Sequence, residues 1–161
     1  MFENKTKSVE LDYSDFKEIA AGAFGFLVKE YGFRLVKFDN NTVRYQTAKV
    51  FVNISLGRAS MEIKVDLGLL PNQYDEVQHK FSLTEIIELL VDQRDSEYLY
   101  FQGLNKEQLQ KHLPQLAELV KKYAKDVLKG DYLIIQNLER LRSDTSVGLS
   151  KEARIRQSLF D

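Results

Sequence analysis

The sequence predicts an α+β domain, with an N-terminal helix, a four-stranded antiparallel β-meander and C-terminal helices packed on one sheet face. Three observations carry this expectation. Between Lys49 and Leu67, apolar and polar residues alternate on either side of Gly57-Arg58-Ala59-Ser60, the pattern of a hairpin with one apolar face. Upstream, Phe16, Ile19, Ala20, Ala23, Leu27 and Tyr31 recur at spacings of three and four, which puts them on one side of a helix. Downstream, Phe81-Ser82-Leu83-Thr84-Glu85-Ile86 and Leu104-Asn105-Lys106-Glu107-Gln108-Leu109 each combine a capping box with a hydrophobic staple, and both mark helix starts. The expected layout is one domain over 1–142, with a helix at 15–31, strands within 33–67 and helices within 82–142, followed by a polar tail at 143–161.

The first helix has N-cap candidates at Asp12 to Asp15 and a C-terminal glycine at Gly32. Gly22 and Gly25 lie inside it, and each costs up to about 1 kcal/mol relative to alanine in a helix interior. Close backbone packing on the sheet is the expected compensation. A phosphate-cradling turn is rejected, because AAGAFGF is neither a Walker loop nor a dinucleotide fingerprint.

Phe33 to Phe38 reads as the first strand, Asp39-Asn40-Asn41 as a turn, and Val43 and Tyr45 as inward residues of the second strand. A four-residue connection would turn Val36 and Phe38 inward, whereas a three-residue loop with a bulge would favour Phe33 and Leu35. The simplest register sets Tyr45 opposite Val50 and Val43 opposite Val52. In the next hairpin it sets Leu56 opposite Met61, Ile54 opposite Ile63 and Val52 opposite Val65.

After Gly68 the sheet ends, and the Ser82 box opens a helix to about Val91. From Asn105 a second helix carries Leu109, Leu113, Leu116, Val120, Tyr123 and Val127 on one face, with Pro114 kinking or restarting it. Gly130 closes it, and Asp131 caps a segment with Tyr132, Ile135, Leu138 and Leu141 on one side. Two helices suffice to cover a sheet about 20 Å wide. The last two stripes are therefore expected to pack as an antiparallel pair, covered either by the Phe81–Val91 helix or by a second copy. The four–three spacing favours a homodimer through the 105–141 helices.

Composition narrows the function classes. The 161 residues contain no cysteine, which removes thiol catalysis, Cys-ligated zinc and iron–sulfur clusters. With 23 Lys and Arg against 24 Asp and Glu, no long-range field draws the chain to phosphate or to acidic membranes. Arg140, Arg142, Lys151, Arg154 and Arg156 form a basic series, but Glu139, Asp144 and Glu152 interrupt it, so nucleic acid is not an expected partner. No apolar run approaches the length of a membrane span and no signal-type segment opens the chain. A soluble cytoplasmic protein is expected.

Residues for chemistry are few. His79 and His112 have no ligand spacing to a second imidazole, so no metal and no cofactor is expected. No GxSxG is present, and Ser60 reads as a turn residue. Asp92, Asp95 and Glu97 cluster in one loop beside Arg94; solvated charge is the simpler reading, with cation binding or acid–base work the sharper one. No catalytic residue is assigned. The next residues, Glu97-Tyr98-Leu99-Tyr100-Phe101-Gln102-Gly103, resemble the site cut by the potyviral protease used for tag removal. They read as a native loop, with Tyr98 and Tyr100 as buried anchors or as contact residues alongside the three acids. The polar sheet face is the second candidate surface: Arg44, Phe51, Asn53, Ser55, Glu62, Lys64 and Asp66 fall on it, and an exposed Phe51 would mark it as a partner-binding face.

The run FGFLVKEYGFRLVKF with the following meander resembles the opening of small uncharacterised bacterial α+β proteins, among them toxin-neutralising immunity proteins. The resemblance covers about a third of the chain and transfers no catalytic residue. It implies an interaction role. A non-enzymatic protein-interaction domain, immunity- or adaptor-like and binding a protein partner, is thus the first functional expectation. The alternative is a small-molecule-binding domain or an undescribed enzyme with a cleft between sheet and helices.

Overall fold

The computed structural model describes residues 13–70, 80–91 and 100–144. Two helices, α1 (Tyr13–Ala23) and α2 (Phe26–Tyr31), precede four strands, β1 (Arg34–Asp39), β2 (Thr42–Gln46), β3 (Val50–Leu56) and β4 (Ile63–Leu69). A short β5 (Lys80–Ser82) then leads into α3 (Leu83–Leu90), and α4 (Lys106–Tyr123) and α5 (Lys125–Leu128) follow. The last described helix, α6, covers 132–144. The strands form one antiparallel sheet in the order β1-β2-β3-β4-β5, and the helices pack against one of its faces. The α+β class and the meander are as the sequence predicts; β5 is an addition to the four expected strands.

Alternation sets the faces. Val43, Tyr45, Val52, Ile54, Leu56, Ile63, Val65 and Leu67 are all buried on the helix-covered side, as period two requires. The register differs from the simplest one. Tyr45 faces Val52, and Val43 faces Ile54; Leu56 faces Ile63, Ile54 faces Val65 and Val52 faces Leu67. Each hairpin is displaced by two residues, which keeps every side chain on its expected face. The reason lies in the turns. Gly57 N–H donates to Glu62 O at 2.9 Å and Met61 N–H to Gly57 O at 2.8 Å, with Met61 in the left-handed region at φ 55. Residues 57–62 thus fold as a six-residue loop where four had been expected.

β1 follows neither alternative read from the sequence in full: the connection is two residues, Phe38 points inward as in the first, Leu35 as in the second, and Val36 lies in the bulge. Asp39 pairs with Thr42 across Asn40-Asn41, and Phe38 pairs with Val43; a bulge between Leu35 and Lys37 then resets the phase, so that Leu35 pairs with Tyr45. Leu35 and Phe38 therefore share the inner face, and Phe33 is buried. β5 was hidden inside a helix-start signature: Phe81 pairs with Leu67, while Ser82 Oγ accepts the Glu85 N–H at 3.1 Å and caps α3.

The helix expected at 15–31 is two helices. Phe24 and Phe26 are both buried around Gly25, and Gly25 N–H turns to Gly22 O at 3.4 Å, so the helical hydrogen-bond ladder breaks there. The close packing expected at Gly22 is not seen, since a Cβ there would meet nothing within 4 Å. Gly32 closes α2 at φ 71. α4 runs helically through Pro114, and a break at Ala124 separates it from α5. Its N-terminus is capped as expected by Asn105 Oδ1 on Gln108 N at 2.8 Å, but the expected staple is open because Leu104 remains 44% exposed. Gly130 (φ 72) and the Asp131 cap on Leu133 N start α6 as predicted; Tyr132 of the expected stripe is exposed, whereas Ile135 and Leu138 are buried.

Leu109, Leu113, Leu116, Val120 and Val127 are buried within one chain, in a single core cluster with α1, α3 and the sheet. α4 packs on α1 and α3. The stripe expected to form a dimer seam through the 105–141 helices is therefore covered internally.

Candidate functional site: the open edge and the outer face of the sheet

The outer face is a graded polar surface. Cross-strand pairing lines up Arg44, Asn53, Asp66 and Ser82 in one row and Gln46, Phe51, Gly68 and Lys80 in the next. Arg44, Phe51, Asn53, Ser55, Glu62, Lys64 and Asp66 thus share one sheet face. Phe51 does not stand exposed on it. Its accessibility is 6%, and the Arg44 guanidinium lies over its ring at 4.5 Å. Gln46, with its amide oxygen turned to Arg44, accepts from Nε at 2.8 Å and fixes the stack. Burial lowers the Arg44 pKa from its ordinary value, yet arginine stays cationic. The condition attached to Phe51 as a contact marker is not met.

Asp66 is the most perturbed acid of this face. Burial pushes its carboxyl above the usual carboxylate range, and Lys80 and Lys64 act in the opposite direction; Lys80 Nζ lies 3.8 Å away. Asp66 opens on a cleft of about 400 Å³ between β4, β5 and α3, lined also by Glu62, Lys80, Thr84, Phe101 and Leu116. A second, more open cleft of about 460 Å³ runs between Tyr31, Lys49 and Lys129.

Of the loop candidates, Asp92, Asp95, Glu97 and Tyr98 lie outside the described residues, as does His79. Tyr100 is 40% exposed, while the residues after it are held against the body of the protein. Ile63 N–H donates to Phe101 O and Gly103 N–H to Met61 O, both at 2.8 Å. His112 Nδ1 lies 2.6 Å from Gln102 O, which requires that nitrogen to carry the proton. His112 is thus an anchor that fixes the loop to α4. Among the described residues no group of three or more His, Asp or Glu side chains is placed to hold a metal, and no helix is long and apolar enough to cross a membrane.

Among the described residues, exposed apolar side chains concentrate elsewhere, on β1 and the helix beside it. Leu35, Val36 and Phe38 are 45%, 45% and 41% exposed, and Val28 of α2 is 47% exposed. β1 is an edge strand, so its outer rim of backbone N–H and C=O groups has no strand beside it among the described residues. Arg34 makes no ion pair among the described residues, and Asp39 approaches Lys37 at 3.6 Å through one oxygen while the other accepts no hydrogen bond. Hydrophobic alternation could not single out this region, because a half-covered inner residue and a buried one have the same period. Comparison with protein families, with curated proteins and with solved structures finds no match to this chain.

Proposed function

We propose that this chain is a non-enzymatic protein-interaction domain, immunity- or adaptor-like in kind, that engages a protein partner along β1. One observation carries the reading: three of the six residues of an edge strand are large, apolar and exposed. Monomeric domains generally blunt such edges with charge, bulges or covering segments; β1 carries a bulge and Lys37 and still keeps three apolar side chains exposed, and strand edges with side-chain pockets are a recurrent mode of protein recognition. Arg44 over Phe51 and the polar row to Asp66 lie on the opposite face of the same sheet. Affinity purification from the native cells, with mass spectrometry of what co-purifies, tests it. A partner retained by the native chain and lost by Leu35→Glu with Phe38→Glu supports the proposal. A partner lost instead on Arg44→Glu would move the contact to the outer face.

The second reading is a small-molecule-binding domain, favoured by the cleft in which burial raises the Asp66 carboxyl. A metabolite retained through native purification and released by Asp66→Asn would support that reading in place of the first.

A further inference from the structure

We infer that the occupant of the β1 edge is a second copy of this chain, paired antiparallel through β1 about a two-fold axis. The inference rests on the reading of β1 as the contact edge and names its partner. The strand reads Arg34-Leu35-Val36-Lys37-Phe38-Asp39. Laid antiparallel on itself with the axis between Val36 and Lys37, it sets Arg34 opposite Asp39 and Leu35 opposite Phe38, each twice. In these pairs charge meets opposite charge and apolar meets apolar, while at the axis Val36 of each copy meets Lys37 of the other, whose aliphatic stem can lie along it.

A regular strand could not use this register. A two-fold axis relating antiparallel neighbours runs perpendicular to the sheet and keeps inner face with inner face, so opposed residues must lie on the same side of the strand. Residues three or five apart in a regular strand lie on opposite sides. The bulge at Val36 removes that obstacle. By their β2 partners, Leu35 and Phe38 lie on the inner face, opposite buried Tyr45 and Val43; Arg34 and Asp39 lie on the outer face, opposite Gln46 and Thr42. The same bulge occurs in both copies, so the spacing from Leu35 to Phe38 in one matches that from Phe38 to Leu35 in the other.

A bulge and Lys37 are also features by which sheets discourage foreign strands. They do not oppose the self-pairing described, which meets a bulge with a bulge. The product is a continuous sheet across two chains, with the Leu35–Phe38 contacts on the helix side and the ion pairs on the polar side. Isologous contacts of this kind are the commonest route to dimers.

The test is sedimentation and light scattering of the full chain at high micromolar concentration. The native chain is expected at twice the chain mass. Arg34→Glu opposes Asp39 with an acid, and Asp39→Arg opposes Arg34 with a base, so each variant alone should dimerise about tenfold more weakly or less well still. An equimolar mixture of the two should recover the dimer as a one-to-one hetero-pair, because Glu then faces Arg and Asp faces Arg. Both sites are surface positions, and circular dichroism melting verifies that each variant is folded. A native chain that stays monomeric overturns the inference, as does a dimer indifferent to both substitutions or a mixture that fails to recover. A monomer that still captures another protein through Leu35 and Phe38 would overturn self-pairing alone and leave the interaction reading in place.

Discussion

The two edges of this sheet are finished differently, and the proposed contact along β1 turns on that contrast. At one edge, β5 covers Asp66 to Gly68 of β4, Gln102 bridges to Glu62, and Phe101 takes the Ile63 N–H. Arg142 seals that side: its guanidinium forms a bidentate pair with Glu85 at 2.6 and 2.8 Å, donates to Lys80 O and lies over the Phe81 ring at 4.1 Å. At the other edge, β1 ends the sheet with Leu35, Val36 and Phe38 exposed. An unpaired apolar edge invites association, and it is on this difference between the edges that the proposed contact along β1 rests.

Three measurements would break or sharpen that comparison. The largest effect is expected from proteolysis at Gln102–Gly103. Gln102 O faces His112, Gly103 N–H is bonded to Met61 O, and a Cβ at Gly103 would meet Leu109 Cδ2 at 2.5 Å, so the tag-removing protease cannot extend this segment in its own cleft. Native cleavage should be slower than cleavage of unfolded chain by about a hundredfold or more. Rapid native cutting would show the closed edge to be open.

Next comes the pair of phenylalanines on the two edges. Phe81, fully buried on β5, should cost about 3–5 kcal/mol when replaced by alanine. Phe38, 41% exposed on β1 with Lys17 Nζ 5.1 Å from its ring centre, should cost under about 1 kcal/mol by denaturant unfolding of dilute protein. Equal losses would contradict the contrast.

The smallest effect concerns pH. The folded state holds the Asp66 proton more tightly than the unfolded chain does, because burial raises its pKa. The Asp66 contribution is therefore fully present below the unfolded-state pKa and is lost as pH rises through the higher folded value. Asp66→Asn should stabilise the protein at neutral pH by under about 1 kcal/mol and flatten the dependence in that window. A destabilised variant at neutral pH would mean that the Lys80 and Lys64 contacts outweigh burial.

Much of the fold was legible in the sequence because it depends on period. Alternation assigned Val52, Ile54, Ile63 and Val65 to the core, and the Ser82 and Asn105 boxes placed two helix starts. Register was not legible, because sliding a hairpin by two residues leaves every side chain on its face, and only the conformations at Gly57 to Glu62 distinguish the choices. β5 was missed because three residues are too few to display a period and Phe81-Ser82 already belonged to a cap. The candidate site was read in part. The polar face was assembled from alternation, but the packing of Arg44 onto Phe51, which buries the ring, is a side-chain arrangement that alternation does not specify. The exposure of Leu35 and Phe38 depends on how far the helices reach across the sheet, which no local pattern encodes.

The central claim is that contact is made along β1 and not on the outer face, and a photo-crosslinking amino acid placed at position 38 or at position 55 tests it most directly. Phe38 is on the open edge and Ser55 on the polar face, paired with Thr42 and Lys64. Covalent protein adducts in the native cells from position 38, with none from position 55, are the predicted result. Adducts from position 55 with none from position 38 would contradict the account.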